Sequence, residues 1–272
     1  MLWEFKNRIE GEYLNGEKNG KAKEYNYEGT LKFEGEYLSG KKSGKGKEYN
    51  YGGKLTFEGE YLNGERNGKG KEYNKNGELI FEGEYLDGKR WNGNGKVYNF
   101  GELCFDGEYL NGKKWNGKIK LYDRNDDFDD KLIFDGEYLN GERNGKGKEY
   151  NKNGELIFEG EYLNGNRWNG IGKVYINDEL RFDGEYLNGK KWSGKIKIYD
   201  TDDEYYEKLI FDGEILNGEK HGYGKEYTIY DELIFEGEYL NGIRLNGTGK
   251  EYNEFGKLIF NGKYINGQKY GN

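Results

Sequence analysis

The feature that most limits what this chain can fold into is its self-similarity. A segment close to F-E-G-E-Y-L-N-G recurs with its first residue at Ile9, Phe33, Phe57, Phe81, Phe105, Phe134, Phe158, Phe182, Phe211, Phe235 and Phe260, in steps of 24 residues broken by two of 29 and one of 25. Periods of this length mark repeat architectures, in which one supersecondary unit buries its apolar face only by stacking on the next. Eleven repeats therefore fill residues 9–272, and residues 1–8 precede them. Phe81, Phe158 and Phe235 lie 77 residues apart, so 81–157 and 158–234 read as a duplicated block of three repeats.

Each repeat reads as a β-hairpin. Leu79, Phe81, Gly83 and Tyr85 alternate with Ile80, Glu82, Glu84 and Leu86, a period of two with rings on one side and acids on the other. A turn between Gly64 and Gly68 leads to a second strand over residues 69–73, and Asn76-Gly77 closes into the next repeat. Composition agrees. Forty-seven glycines, no proline and one alanine, Ala22, leave little from which to build helices, and 17% aromatic residues supply the apolar area that a chain with 35% charged residues otherwise lacks.

The expected fold is all-β: an elongated single-layer antiparallel β-sheet, a ribbon of about 22 strands built from eleven hairpin repeats. A parallel β-solenoid is the competing arrangement, and the direction of pairing within one repeat decides between them. Gly70 and Gly83 are expected to be flat patches on which cross-strand rings lie. If Lys69 and Lys71 share a side with Glu82 and Glu84, the other face becomes a ladder of alternating charge. Tyr73 falls out of phase with the rings. Leu2, Trp3 and Phe5 are expected to form a strand, within an N-terminal cap of residues 1–8, that covers the first hairpin, with Tyr264 and Tyr270 in a short closing unit.

The run Phe57-Glu-Gly59-Glu-Tyr61-Leu-Asn-Gly64-Glu-Arg-Asn-Gly68-Lys-Gly70 resembles the MORN repeat, and the spelling from Tyr73 through Asn76-Gly77 to Gly93 is similar to its bacterial-type variant. Ala22, Ile119 and Ile196 depart from the pattern by replacing the second glycine of G-x-G, and Tyr stands where the family more often has Trp. The resemblance implies a twisted single-layer sheet that acts as a scaffold, tether or dimerisation element. Such sheets are sometimes attached to a catalytic domain, for which the eleven repeats are expected to leave no residues.

Several function classes fall away on inventory. Forty-three basic against 51 acidic residues, interspersed along the chain, give a net charge of −8. That balance disfavours a nucleic-acid binder and adhesion to anionic lipid by charge alone, while membrane contact by other means stays open. The lone Cys104 excludes an internal disulfide and a cysteine-based zinc site. With no apolar run of signal-peptide length near Met1, the expected location is cytoplasmic.

Catalysis lacks players. His221, the one histidine, stands where Asn67 and Asn144 stand in sister repeats. Ser39, Ser43 and Ser193 lie in the same turn region without triad partners, and Cys104 takes the place of Ile80 and Ile157 as a small apolar residue. The Glu82-x-Glu84 pairs recur as many equivalent solvated carboxylates, whereas a general acid needs one singular environment. Neither an enzyme nor a cofactor is expected.

Two features break the repetition. Each 29-residue repeat inserts an acidic loop, where Asp123, Asn125 and Asp127, and their counterparts Asp200, Asp202 and Glu204, space oxygen ligands like the opening of a calcium loop. Both loops lack its sixth-position glycine and closing glutamate, so they read as polar loops and no metal is assigned. Trp91, Trp115, Trp168 and Trp192 occupy a one-residue-longer inter-glycine turn and line one edge, with Leu245 in the equivalent place. They either fold over adjacent strands or stand out as anchors of the type that hot spots prefer, and they are the partner-binding candidates. The expected function is a non-catalytic scaffold or assembly protein that engages a protein partner or another copy of itself. The alternative is a ligand-binding module that stacks a carbohydrate or lipid headgroup on its aromatic rows.

Overall fold

In the computed structural model the described residues are 8–99, 101–123, 130–200 and 207–271. They hold twenty-two β-strands and no helix. Pairing within hairpins and between successive hairpins is antiparallel, which decides against the parallel solenoid. Leu2, Trp3 and Phe5 lie outside the described residues. Tyr264 is buried in the strand Leu258–Ile265, and Tyr270 lies in the four-residue strand Gln268–Gly271 that closes the array. The chain divides into two compact units: Met1–Leu121 with Glu137–Glu142, and Tyr122–Gly136 with Arg143–Asn272.

The Phe57 hairpin, strands Leu55–Leu62 and Glu65–Tyr73, shows how the repeat folds. Asn63 and Gly64 sit at φ +54° and +97°, the left-handed pair that a two-residue hairpin turn demands. Phe57, Gly59 and Tyr61 share one face by strand alternation, and Gly59 pairs with Gly70. The Phe57 ring lies across both glycines, 2.7 Å from where a Cβ would stand on either, so a side chain at either place would have to push the ring aside. Phe57 also meets Tyr61 and Tyr85 edge to face at 5.6 and 5.0 Å, contacts worth about 0.5–1.5 kcal/mol each beyond area burial. Arg66 caps it from above at 4.1 Å. The core of this single layer is therefore ring on glycine, under a cationic lid.

In the first unit this ring chain runs without interruption from Tyr37 and Phe33 to Phe105 and Tyr109. In the second it runs from Phe134 to Phe182, then resumes from Phe211 to Phe260, because Ile215 stands where a tyrosine would link the two stretches. Ile119 and Ile196 pair directly with Phe105 and Phe182, filling with aliphatic bulk the place of the second glycine. After Glu72 a register shift pairs Tyr73 with Leu79, leaving Tyr73 on the face opposite the rings, where its hydroxyl donates to Glu58 at 2.8 Å.

Two hairpin types coexist, and they differ in register. In the Phe57 hairpin, Tyr61 pairs with Arg66 and Gly59 with Gly70, so three residues (Asn67, Gly68, Lys69) oppose the single Glu60. Gly68, at φ +92°, turns this two-residue excess. In the Phe81 hairpin, Tyr85 pairs with Arg90 and Gly83 with Gly93, so only Trp91 and Asn92 oppose Glu84. Both types then pair their second G-x-G glycine with the next hairpin's glycine, as in Gly70 with Gly83 and Gly95 with Gly107. The first type keeps the glycines in one straight lane. The second makes the lane step by two residues, about 6.7 Å along the strand.

Candidate interaction surface

Strand alternation puts Glu58, Glu60, Lys69 and Lys71 on the face opposite the rings. In the first unit the lane runs straight through Gly11, Ala22, Gly35, Gly46, Gly59, Gly70, Gly83 and Gly93, because the first three hairpins are of the two-residue-excess type. Backbone forms its floor, Lys and Glu side chains its walls, and the result is a groove of about 990 Å³. In the second unit the lane breaks at Gly170, which pairs with Tyr186, at Gly194, which pairs with Ile215, and at Gly247, which pairs with Tyr264. The groove over Gly147 and Gly160 holds only about 400 Å³. Over Gly224, Tyr223 stands opposite Glu238 but hydrogen-bonds Glu236 at 2.6 Å, reaching across the lane.

The two walls of the first unit's groove differ in charge pairing. Along one, Lys23, Lys47 and Lys71 pair with Glu34, Glu58 and Glu82 at 3.7, 3.7 and 3.1 Å. The hydroxyl of Tyr49 donates to Glu34 at 2.6 Å; desolvation and then the bond to Glu58 push the Tyr73 hydroxyl up to about 12. Along the other wall, nearer the Asn-Gly turns, Lys45 stands opposite Glu60 and Lys69 opposite Glu84. Those carboxylates serve the bulges instead. Glu60 accepts the Lys69 backbone N–H at 2.9 Å, Glu36 lies over Gly44, and Glu84 accepts from Asn92 at 2.9 Å. Among the described residues Lys21, Lys45 and Lys69 are left with no carboxylate in ion-pair range.

On the ring side the charged groups are committed. Glu48 sits under Tyr61 and Arg66; burial raises its pKa, but the Arg66 hydrogen bond and charge outweigh that and hold it below the ordinary carboxylate value. Glu72 accepts from the Tyr85 hydroxyl at 2.9 Å and from Arg90 Nε at 2.8 Å. Phe33, Phe57 and Phe81 are buried, with Lys42 lying 3.9 Å over Phe33. The aromatic rows considered for stacking a sugar or headgroup are thus closed by the glycines beneath and the cations above.

Each tryptophan at the edge is itself the one-residue excess of its hairpin, a β-bulge: Trp91, Trp115, Trp168 and Trp192 are each skipped between paired neighbours, as is Leu245. All four tryptophans are half-buried. Trp91 and Trp168 lie 3.4 and 3.3 Å from where a Cβ would stand on Gly112 and Gly189, the turn glycines of the following hairpins, and Trp115 lies 3.9 Å from that place on Gly141. Those glycines donate their N–H to the tryptophan carbonyls at 2.9 Å, and Asn92 and Asn169 accept the N–H of Asn111 and Asn188. One side of the Trp91, Trp115 and Trp168 rings thus lies over the chain, and all four rings keep part of their surface exposed.

Of the calcium-loop candidates, Asp123 ends the strand Lys113–Asp123 and Asp200 pairs opposite Lys208; Asn125, Asp127, Asp202 and Glu204 lie outside the described residues. Cys104 is buried, its thiol 3.4 Å from the Glu102 carbonyl. Its sister position in the duplicated block holds a residue that sequence reasoning passed over: Arg181, buried, pairs with Glu207 at 2.7 Å and lies 3.3 Å over the Tyr199 ring.

The MORN repeat family model matches residues 10–31, 33–53, 57–78, 134–155 and 211–228. All five segments carry the three-residue inter-glycine turn, and none carries a bulge tryptophan. No curated protein matches the chain. Among solved structures, a chain of the crystal structure of TcdB2-TccC3-TEV is similar over 90% of this chain and 15% of that one, at 10% identity and a TM-score of 0.20, too low for the likeness to bear on fold or function. Five matches in phase with the glycine-and-ring hairpins show that the chain carries MORN repeats.

Proposed function

We propose that this protein is a non-catalytic scaffold that works by presenting its repetitive β-surface to a protein partner or to another copy of itself, in the cytoplasm. The observation that carries the reading is the division of labour between faces: one is consumed by ring-on-glycine packing, while the other, with the 990 Å³ groove, is free of any structural duty that would need its size. The carboxylates there recur from hairpin to hairpin, one set paired with lysine and the other turned onto the bulges, a poor starting point for acid–base chemistry, which needs one singular environment. The outward parts of Trp91, Trp115, Trp168 and Trp192 are contact candidates at the edge, each able to add roughly 1–3 kcal/mol if a partner buried it.

Size exclusion with light scattering over about a hundredfold concentration range tests self-association: a mass rising above 31.7 kDa supports it. With the mass constant, the reading rests on a heterologous partner, sought by proximity labelling with the wild type and with a variant carrying Glu for Lys along the whole groove face. Identical labelling by the two would sink the scaffold reading.

A further inference from the structure

The turn-side edge of the first unit repeats one local arrangement. Lys21 and Lys45 each stand opposite a glutamate whose strand continues, two residues on, to Leu38 and Leu62 on the same face, and the turn glycines Gly40 and Gly64 follow. The lysines face solvent without a counter-charge, because the carboxylates beside them are turned onto the bulges. Elsewhere in the same unit the chain shows what such a turn accepts: Trp91 lies over Gly112 and Trp115 over Gly141, whereas nothing lies within 4 Å of the places above Gly40 and Gly64. The leucines adjoining these two bare turns are themselves open to solvent. Leu38 and Leu62 are 60% and 54% exposed.

The geometry points to a docking site, along Lys21, Lys45 and Lys69 with Leu38 and Leu62, for an extended segment of a partner protein that carries acidic and aromatic residues in alternation. This deepens, and rests on, the scaffold reading. The acids answer the unpaired lysines, and the aromatics take the places that tryptophan takes in the later hairpins. Spacing selects the conformation. Successive copies lie two strands apart, about 9.6 Å. A polyproline II chain rises about 9.3 Å in three residues, so an acid at every third position meets each lysine in turn and the residue after it meets each bare turn. An α-helix returns to one face each turn, about 5.4 Å, and most closely again after seven residues, about 10.5 Å, so neither spacing keeps step with about 9.6 Å. Several weak contacts on one segment then add through effective concentration.

Fluorescence anisotropy with labelled dodecapeptides tests this on the full chain: (Pro-Asp-Trp)4 as probe, (Pro-Lys-Trp)4 and (Pro-Asp-Gly)4 as comparisons. The wild type is expected to bind the first at least about tenfold tighter than either comparison. The triple variant Lys21→Glu, Lys45→Glu, Lys69→Glu is expected to reverse the preference between the Asp and Lys probes, a gain that only a folded protein can show. Should the triple variant fail to fold by circular dichroism, Lys45→Glu alone is expected to weaken the Asp probe about threefold. Equal affinity for the Asp and Lys probes, or a preference unchanged by the lysine variants, overturns the proposal. So does a lysine-dependent dimer, or lysine-dependent binding to phosphatidylserine vesicles, without probe preference, which would assign the edge to a second copy or to lipid. If labelling by the groove-face variant still differs from wild type, failure here leaves the scaffold reading standing.

Discussion

The first unit carries its glycines in one lane across eight strands before a step at Gly95, whereas the second, made from the same repeat, restarts its lane at Gly172, at Gly213 and again at Gly249. The two use the same rings, glycines and Asn-Gly turns. What differs is how many residues the second strand spends between its turn and its first glycine, and the contrast teaches that one residue there governs the outer face while the ring core stays the same. A three-residue inter-glycine turn leaves a two-residue excess and a straight lane; a four-residue turn lets the extra residue bulge and moves the lane by one side-chain period.

The largest effect expected from breaking this comparison is in the ring core. Phe57→Ala, which removes a ring held by Tyr61 and Tyr85, should destabilise the first unit by about 3–5 kcal/mol; Phe182→Ala, whose neighbours include Ile196 and one tyrosine ring, should cost less. Hydrogen exchange resolved along the chain checks both, since a repeat array opens locally. Next comes the floor. Gly70→Ala puts a methyl 2.7 Å from Phe57 and should cost about 1–3 kcal/mol, against about 1 kcal/mol for Gly64→Ala, where only the φ of +97° resists. Urea titration of each variant measures the difference.

A smaller effect should appear with pH. Glu48 in the first unit and Glu226 in the second are both held below their ordinary value: burial opposes this, but Arg66 and Lys42, and Lys220 and Arg244, outweigh it. As pH falls, the unfolded chain takes up these protons first. Their stabilisation is therefore full above the unfolded carboxylate value near 4.3 and is lost as pH falls through the lower folded value. Glu48→Gln should flatten the acid limb of a stability–pH curve in exchange signals of the first unit and leave those around Glu226 unchanged. The smallest effect belongs to the outer face. Lys47→Ala, which breaks a half-exposed pair with Glu58, should shift stability by no more than about 0.2–1 kcal/mol, as thermal melting can show.

Much of this was legible in the residues. The alternation Phe57, Gly59, Tyr61 announces a ring face and a glycine floor, and Lys71 opposite Glu82 is the charge ladder expected. Even Ala22 makes sense: Gly11, its partner, belongs to the hairpin where Ile9 replaces Phe, so no phenylalanine of that hairpin needs the space. The lane step was not legible. Counting shows that Trp91 lengthens a turn, but whether the added residue joins the ladder, extends the turn or bulges depends on pairing across three strands. Nor could pattern distinguish the paired Lys71 from the unpaired Lys69, because that depends on Glu60 bending to the backbone of its own hairpin's bulge. Arg181 reads as an ordinary polar substitution until Glu207 and Tyr199 are seen around it.

Disulfide trapping of register around Trp91, in a Cys104→Ala background, decides whether turn length sets the lane. With the turn intact, Glu82 pairs with Asn94, so Glu82→Cys with Asn94→Cys should cross-link and Glu82→Cys with Lys96→Cys should not. Deleting Trp91 converts the turn to the three-residue form, and the preference should switch: Glu82→Cys should then cross-link with Lys96→Cys, as the lane straightens through Gly95. If the Asn94→Cys pair still forms after the deletion and the Lys96→Cys pair does not, turn length does not set the register, and the account of how this protein shapes its two faces is wrong.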